Sequence, residues 1–203
     1  LRTFFLILAQ TFLIQKAGII GVNELATIQI LIIVFGVSSS ILDSFAHAAE
    51  TLVGHSIGAN DKIMFKKSIQ FSSEMAIFFS ILLSLLLYIF QKFIILSITN
   101  IEILRILTTD LWFLVIITPL ISVLAFQLDG IFIGGTHAKE MRNSMFISFA
   151  IFYISIQFIV KDNLDTQNLY LCFLLFLFLR GIILLLYFNK TFQLTKGISN
   201  DKF

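Results

Sequence analysis

Apolar residues run along this chain in stretches too long for the helices of a soluble domain, broken at intervals by a few polar positions. A membrane-crossing helix needs about 20 mostly apolar residues. Six such stretches are read here, at 3–22, 26–58, 69–91, 105–135, 142–160 and 168–188. Short polar links at 21–24, 59–62, 99–100, 137–140 and 161–168 separate them, and none could hold a soluble domain. The second and fourth stretches are longer than a hydrocarbon core of about 30 Å requires, so they must tilt, bend or project into the cytoplasm. The fourth contains Pro119, the chain's one proline. Its missing N–H and its ring predict a kink. The expected fold is all-α and polytopic: a six-helix transmembrane bundle over 1–190, then a cytoplasmic tail over 191–203.

Basic residues orient the bundle. With the first residues on one side, that side holds nine of them: Arg2, Lys62, Lys66, Lys67, Lys139, Arg142, Lys190, Lys196 and Lys202. The other side holds four, Lys16, Lys92, Arg105 and Lys161, and Arg180 falls inside the last span. Both ends of the chain are therefore expected in the cytoplasm. The composition agrees with a membrane protein: 58% of residues are hydrophobic, 13% are charged and mean hydropathy is +0.99. A soluble domain carries about 25% charged residues. A net charge of +2 gives a nucleic-acid partner no electrostatic support. A single cysteine, Cys172, excludes an internal disulfide and a thiolate metal cluster, and its setting among Phe and Leu suits a small buried apolar residue. The chain opens on Leu1 inside an apolar run, with no basic leader segment and no small-residue cleavage site. It is expected to be a piece lacking its natural N-terminus.

Charged side chains inside apolar helices are costly, at roughly 2.5–3.5 kcal/mol near the bilayer centre, and they mark ion, proton or substrate paths. Asp43, His47 and Glu50 stand at i, i+4 and i+7, on one face of the second helix. Such a stripe can accept protons or coordinate a cation. It can equally be a structural network that satisfies loop donors or Arg2. Asp129 precedes Gly130-x-x-x-Gly134, and Gly54-x-x-x-Gly58 repeats the spacing on the second helix. Small residues four apart let helices pack backbone to backbone, so these four glycines are read as packing positions and Asp129 as a cap of the helix end or loop. Arg180, mid-span, is expected to face the bundle and pair with an acid. Asp43, His47, Glu50, Asp129 and Arg180 are the candidates for gating or ion coupling. Signatures of ATP hydrolysis and of zinc or serine hydrolases are absent from the sequence. No cofactor is expected beyond a coupling ion, H⁺ or Na⁺.

Four motifs in register carry a family resemblance over most of the chain. They are Ala26-Thr27-Ile28-Gln29-Ile30, then Leu42-Asp43 through Phe45-Ala46, Ala48-Ala49-Glu50, Leu52-Val53-Gly54 and Ile57-Gly58-Ala59, then Leu128-Asp129-Gly130-Ile131-Phe132 with Gly134, and Met141-Arg142-Asn143-Ser144-Met145. In order and spacing the chain resembles the multidrug and toxic compound extrusion (MATE) family, in particular its DNA-damage-inducible protein F (DinF) branch. The resemblance implies a cation-coupled antiporter of twelve helices, in two six-helix bundles around a cavity of alternating access. This chain resembles the C-terminal bundle, helices seven to twelve. It implies, as partners, the lipid bilayer, an exported organic small molecule and an N-terminal six-helix half, with a bacterial inner (plasma) membrane as the location. The branch's proton-coupling aspartate lies in the other bundle. The acidic pair that some members use for sodium, in helices seven and ten, has no match here, since the first span carries no acid. Other readings stay open: a lipid-intermediate or polysaccharide flippase of the same superfamily, an intramembrane acyltransferase using His47 with Asp43 or Glu50, and a structural membrane subunit.

Overall fold

The computed structural model describes residues 2–162 and 165–197, and every regular element among them is an α-helix. Seven occur in order: α1 (Arg2–Ile20), α2 (Val22–Gly58), α3 (Lys62–Ile89), α4 (Gln91–Ile98), α5 (Glu102–Gly134), α6 (Ala138–Asp162) and α7 (Thr166–Gly197). Five of them are long and apolar enough to cross a membrane: α1, α2, α3, α5 and, over Thr166–Phe188, α7. The remaining expected span, 142–160, lies within α6 and runs past residue 158, the last of that helix whose side chain is described.

The differences from the expected segments have local causes. The first link is one residue: Gly21 alone is extended, and α2 starts at Val22 with Glu24 in its first turn, where an acid complements the helix dipole. The third helix begins seven residues before its apolar stretch, because Asp61 caps it; the Oδ1 accepts from Ile63 N and Met64 N, each at 2.9 Å. The unforeseen α4 follows a break at Phe90. Helix α5 continues through Pro119. Helix α7 runs on to Gly197, into the segment read as tail, while 198–203 lie outside the described residues.

The turns after α2 and α5 are alike. Asn60 (φ 53°) and Thr136 (φ 58°) adopt the left-handed conformation just past each helix. In each, the next N–H reaches back five residues: Asp61 N to Ser56 O at 3.1 Å, and His137 N to Phe132 O at 2.8 Å. These are Schellman closures that satisfy the last carbonyls.

Helix α5 is the axis of the bundle, packing against α2, α3 and α7, with lesser contacts to α4 and α6, while α1 packs on α2, α6 and α7. From Leu111 to Phe132 most α5 side chains are buried. Small residues set the approaches. Helix α3 buries Ser68, Ser72, Ala76, Ser80 and Ser84, one every fourth residue, and α1 buries Ala9 and Ala17. Hydrogen bonds pin the axis to its neighbours. Trp112 Nε1 donates to Leu87 O at 2.9 Å, one of the last carbonyls of α3, and the Tyr170 and Thr118 hydroxyls meet at 3.1 Å. The outside is the reverse of a soluble surface, with Phe93, Phe113, Phe158 and Leu186 each more than half exposed. Apolar surface on this scale needs lipid or protein against it. The protein is an integral, multi-pass membrane protein.

Candidate functional site

The centre of the bundle is built by glycines. Gly130 lies against the α2 backbone so closely that a Cβ there would sit 2.0 Å from Ala46 O, and one at Gly134 would sit 2.5 Å from Glu50 O. Gly54, opposite, faces Gly134 at ordinary contact distance. Gly58 does not pack in this way. It is the last residue of α2, and a Cβ there would meet nothing within 4 Å among the described residues. The reading of Gly58 as a packing position is corrected: α2 has passed beyond α5 at that point.

One residue from Gly130, Asp129 on α5 forms an ion pair with Arg180 on α7, and both side chains are almost wholly buried. The pair exists because Gly181, next to Arg180, brings α7 against α5; a Cβ at Gly181 would lie 3.2 Å from Ala125 N. The guanidinium also stacks over the Phe126 ring, 5.3 Å from its centroid. From α6, the Ser144 hydroxyl donates to the Arg180 carbonyl at 3.0 Å. Arg180 thus faces the bundle and finds an acid. Asp129 is no cap: five residues of α5 follow it, and the helix is closed by Gly135 N–H bonding to Ile131 O and Thr136 N–H bonding to Ile133 O. Its carboxylate points inward because its partner stands on α7.

The stripe on α2 looks the other way. Ala46, Ala49 and Val53 turn inward, whereas Ser40, Ser44, His47 and Thr51 are exposed, with Asp43 and Glu50 half-buried at the margin. His47 Nδ1 lies 3.3 Å from Glu50 Oε2, and the His47 side chain is 71% exposed. The hydroxyls bond to their own helix: Ser40 to Gly36 O, Ser44 to Ser40 O and Thr51 to His47 O. His47 and Glu50 pair with each other, and of the two the His47 side chain is the more exposed, at 71% against 36%. Arg142 donates to its neighbour Asn143 at 3.3 Å. The two sets are therefore distinct: a dry pair holding α5 to α7, and an accessible polar row on α2.

Sequence reading missed a third feature. Gln127 on α5 donates to Ser72 Oγ on α3 at 2.8 Å and to Ser73 Oγ at 3.3 Å. The four-residue repeat of small residues on α3 was its visible signal. No group of three or more His, Cys, Asp or Glu suited to a metal ion occurs among the described residues. Cys172 is buried.

Comparison with known proteins agrees with this architecture. The chain is 28% identical over 165 residues to DNA damage-inducible protein F of Escherichia coli (strain K12). That alignment covers 81% of this chain and 36% of the relative, so the chain spans little more than a third of the protein it matches. The MatE family profile matches residues 1–159. Members of this family are transporters, not enzymes, and the acyltransferase reading of His47 gains nothing from it. The chain belongs to the MatE family.

Proposed function

We propose that the protein is an H⁺- or Na⁺-coupled exporter of organic compounds, and that this chain is one of two six-helix bundles that alternate access around a shared cavity. The observation that carries this reading is the polar row on α2. Ser40, Ser44, His47 and Thr51 are exposed within a helix otherwise apolar enough to span a membrane. Lipid tails do not tolerate an imidazole and a carboxylate, so such a face needs water or a facing protein surface. A cavity between two bundles supplies both. Rocking of one bundle against another needs the second bundle, and the chain alone is expected to carry no flux.

In this reading Asp43, His47 and Glu50 gate or couple transport. Asp129 and Arg180, closed off from water, hold the bundle together while it moves. The test is efflux of a fluorescent organic cation from vesicles containing the intact protein, under an imposed pH or sodium gradient. Efflux should follow one of the gradients. Glu50→Gln should slow it by about tenfold, in line with loss of a charge-assisted contact, with dye affinity changed only a few-fold. Efflux indifferent to both gradients would defeat the coupling. Lost dye binding in Glu50→Gln would move Glu50 into the substrate site.

The proposed orientation puts the α2–α3 turn in the cytoplasm and the α4–α5 link outside. On a Cys172→Ser background, a membrane-impermeant thiol reagent added outside should label Asn100→Cys and spare Asn60→Cys. The reverse pattern would invert the bundle.

A further inference from the structure

The run Met141-Arg142-Asn143-Ser144-Met145, near the start of α6, divides between two faces. Met141, Ser144 and Met145 are buried, and the Ser144 hydroxyl is bonded to the Arg180 carbonyl. Packing accounts for those three. It does not account for Arg142 and Asn143, which are exposed. These two line a groove of about 280 Å³ between α1 and α6, with Phe5, Phe146 and Ile147 as its apolar wall. The Phe5 and Phe146 rings meet edge to face, 6.3 Å between centroids.

The polar edge of this groove offers hydrogens only. Arg142 Nη2 donates to Asn143 Oδ1 at 3.3 Å. A guanidinium cannot accept, so the amide must turn its oxygen to Arg142, and its NH2 is left to donate with the remaining guanidinium hydrogens. None of the five lining residues is an acid. Glu140, two residues before Arg142, stands on the other side of α6, its carboxylate 3.8 Å from His137. Donors beside aromatic and aliphatic walls suit an anion joined to an apolar body. The volume favours part of a lipid over a whole exported compound, because small-molecule pockets run to roughly 300–1,000 Å³ and enclose their ligand. The apolar wall also continues along α6. Ile154 and Phe158 follow Ile147 by seven and eleven residues on the same face, and all three are exposed. That track rises about 16 Å, against roughly 15 Å for half of the hydrocarbon core. We propose that the groove between α1 and α6 holds an anionic phospholipid, with its phosphate on Arg142 and Asn143 and its upper acyl chain against Phe5, Phe146 and Ile147. This site does not use the α2 row and does not depend on the transport reading.

Native mass spectrometry of the intact protein in detergent, titrated with phosphatidylglycerol or with phosphatidylcholine of the same chains, tests the proposal. Phosphatidylglycerol should be retained about fivefold more tightly, as expected for one arginine at an anionic headgroup. Arg142→Ala should abolish that preference. Asn143→Asp should do the same with almost no change of shape, because the new carboxylate takes the place of the phosphate on Arg142. Both side chains are exposed, so the two variants should fold. Lys139→Ala removes an exposed positive charge one turn away, outside the groove, and should leave the preference intact. A phosphatidylglycerol with a diazirine in its acyl chain should label the wild type within 4–12 and 146–158. Equal retention of the two lipids, a preference that survives Arg142→Ala or Asn143→Asp, or an equal loss in Lys139→Ala overturns the proposal. So does labelling confined to other helices, which would mean that protein, from the rest of the molecule or from a second copy, covers the α1–α6 edge.

Discussion

Asp129→Leu is expected to destabilise the protein by about 3–5 kcal/mol, the usual cost of removing one member of a buried ion pair. The reason is the charge left behind. Arg180 is wholly buried at the α5–α7 contact, and a guanidinium keeps its proton throughout the working pH range. Arg180→Leu should cost less, because a stranded carboxyl can neutralise itself by binding a proton. The double variant should recover much of the loss, since no charge remains inside and two leucines suit the site. Phe126, stacked on the guanidinium, offers them an apolar neighbour. Thermal unfolding of the four proteins in one detergent checks the order. A double variant as unstable as Asp129→Leu alone would show that pairing is not what holds α5 to α7. The double variant also separates stability from transport: if it folds and still moves substrate, Asp129 and Arg180 are scaffold.

Much of this fold was legible in the apolar runs, because a helix in lipid must be long and continuous and every residue advertises that. What stayed hidden depends on neighbours. The break at Phe90 that creates α4 has no glycine or proline to announce it. Gly58 and Gly134 carry the same four-residue spacing, but only Gly134 meets another helix, since α2 outlasts its contact with α5. Arg180 was read correctly as seeking an acid. Its partner was not found, because Asp129 lies on another helix, two residues from the Gln127 that ties α5 to α3. The polar stripe on α2 showed which residues share a face. That this face looks outward follows only from Ala46, Ala49 and Val53 being taken by the interior.

Gly130→Ala is expected to disturb both stability and function, although it adds a single methyl. The new Cβ would lie 2.0 Å from Ala46 O, 2.7 Å from Ala46 C and 2.9 Å from Ala46 Cα. All three are backbone atoms, so no rotamer change relieves the contact and α2 must move away from α5. Overpacking of this kind typically costs about 1–3 kcal/mol, occasionally more. Ala46→Gly should not rescue it, because the side chain it removes is not what clashes. Gly134→Ala should behave similarly against Glu50 O, while Gly58→Ala, with open space around it, should be neutral or up to about 1 kcal/mol more stable from helix propensity. The displacement also reaches the proposed transport face. His47 follows Ala46 directly, and Glu50 is the residue whose carbonyl Gly134 touches. Moving α2 outward therefore shifts the polar row as a unit. The comparison is thermal unfolding and dye efflux for Gly130→Ala and Gly58→Ala side by side. Equal behaviour of the two would mean that α2 and α5 are not in backbone contact at Ala46. A Gly130→Ala protein that loses stability yet exports at the wild-type rate would separate the close contact from the gating of the α2 face.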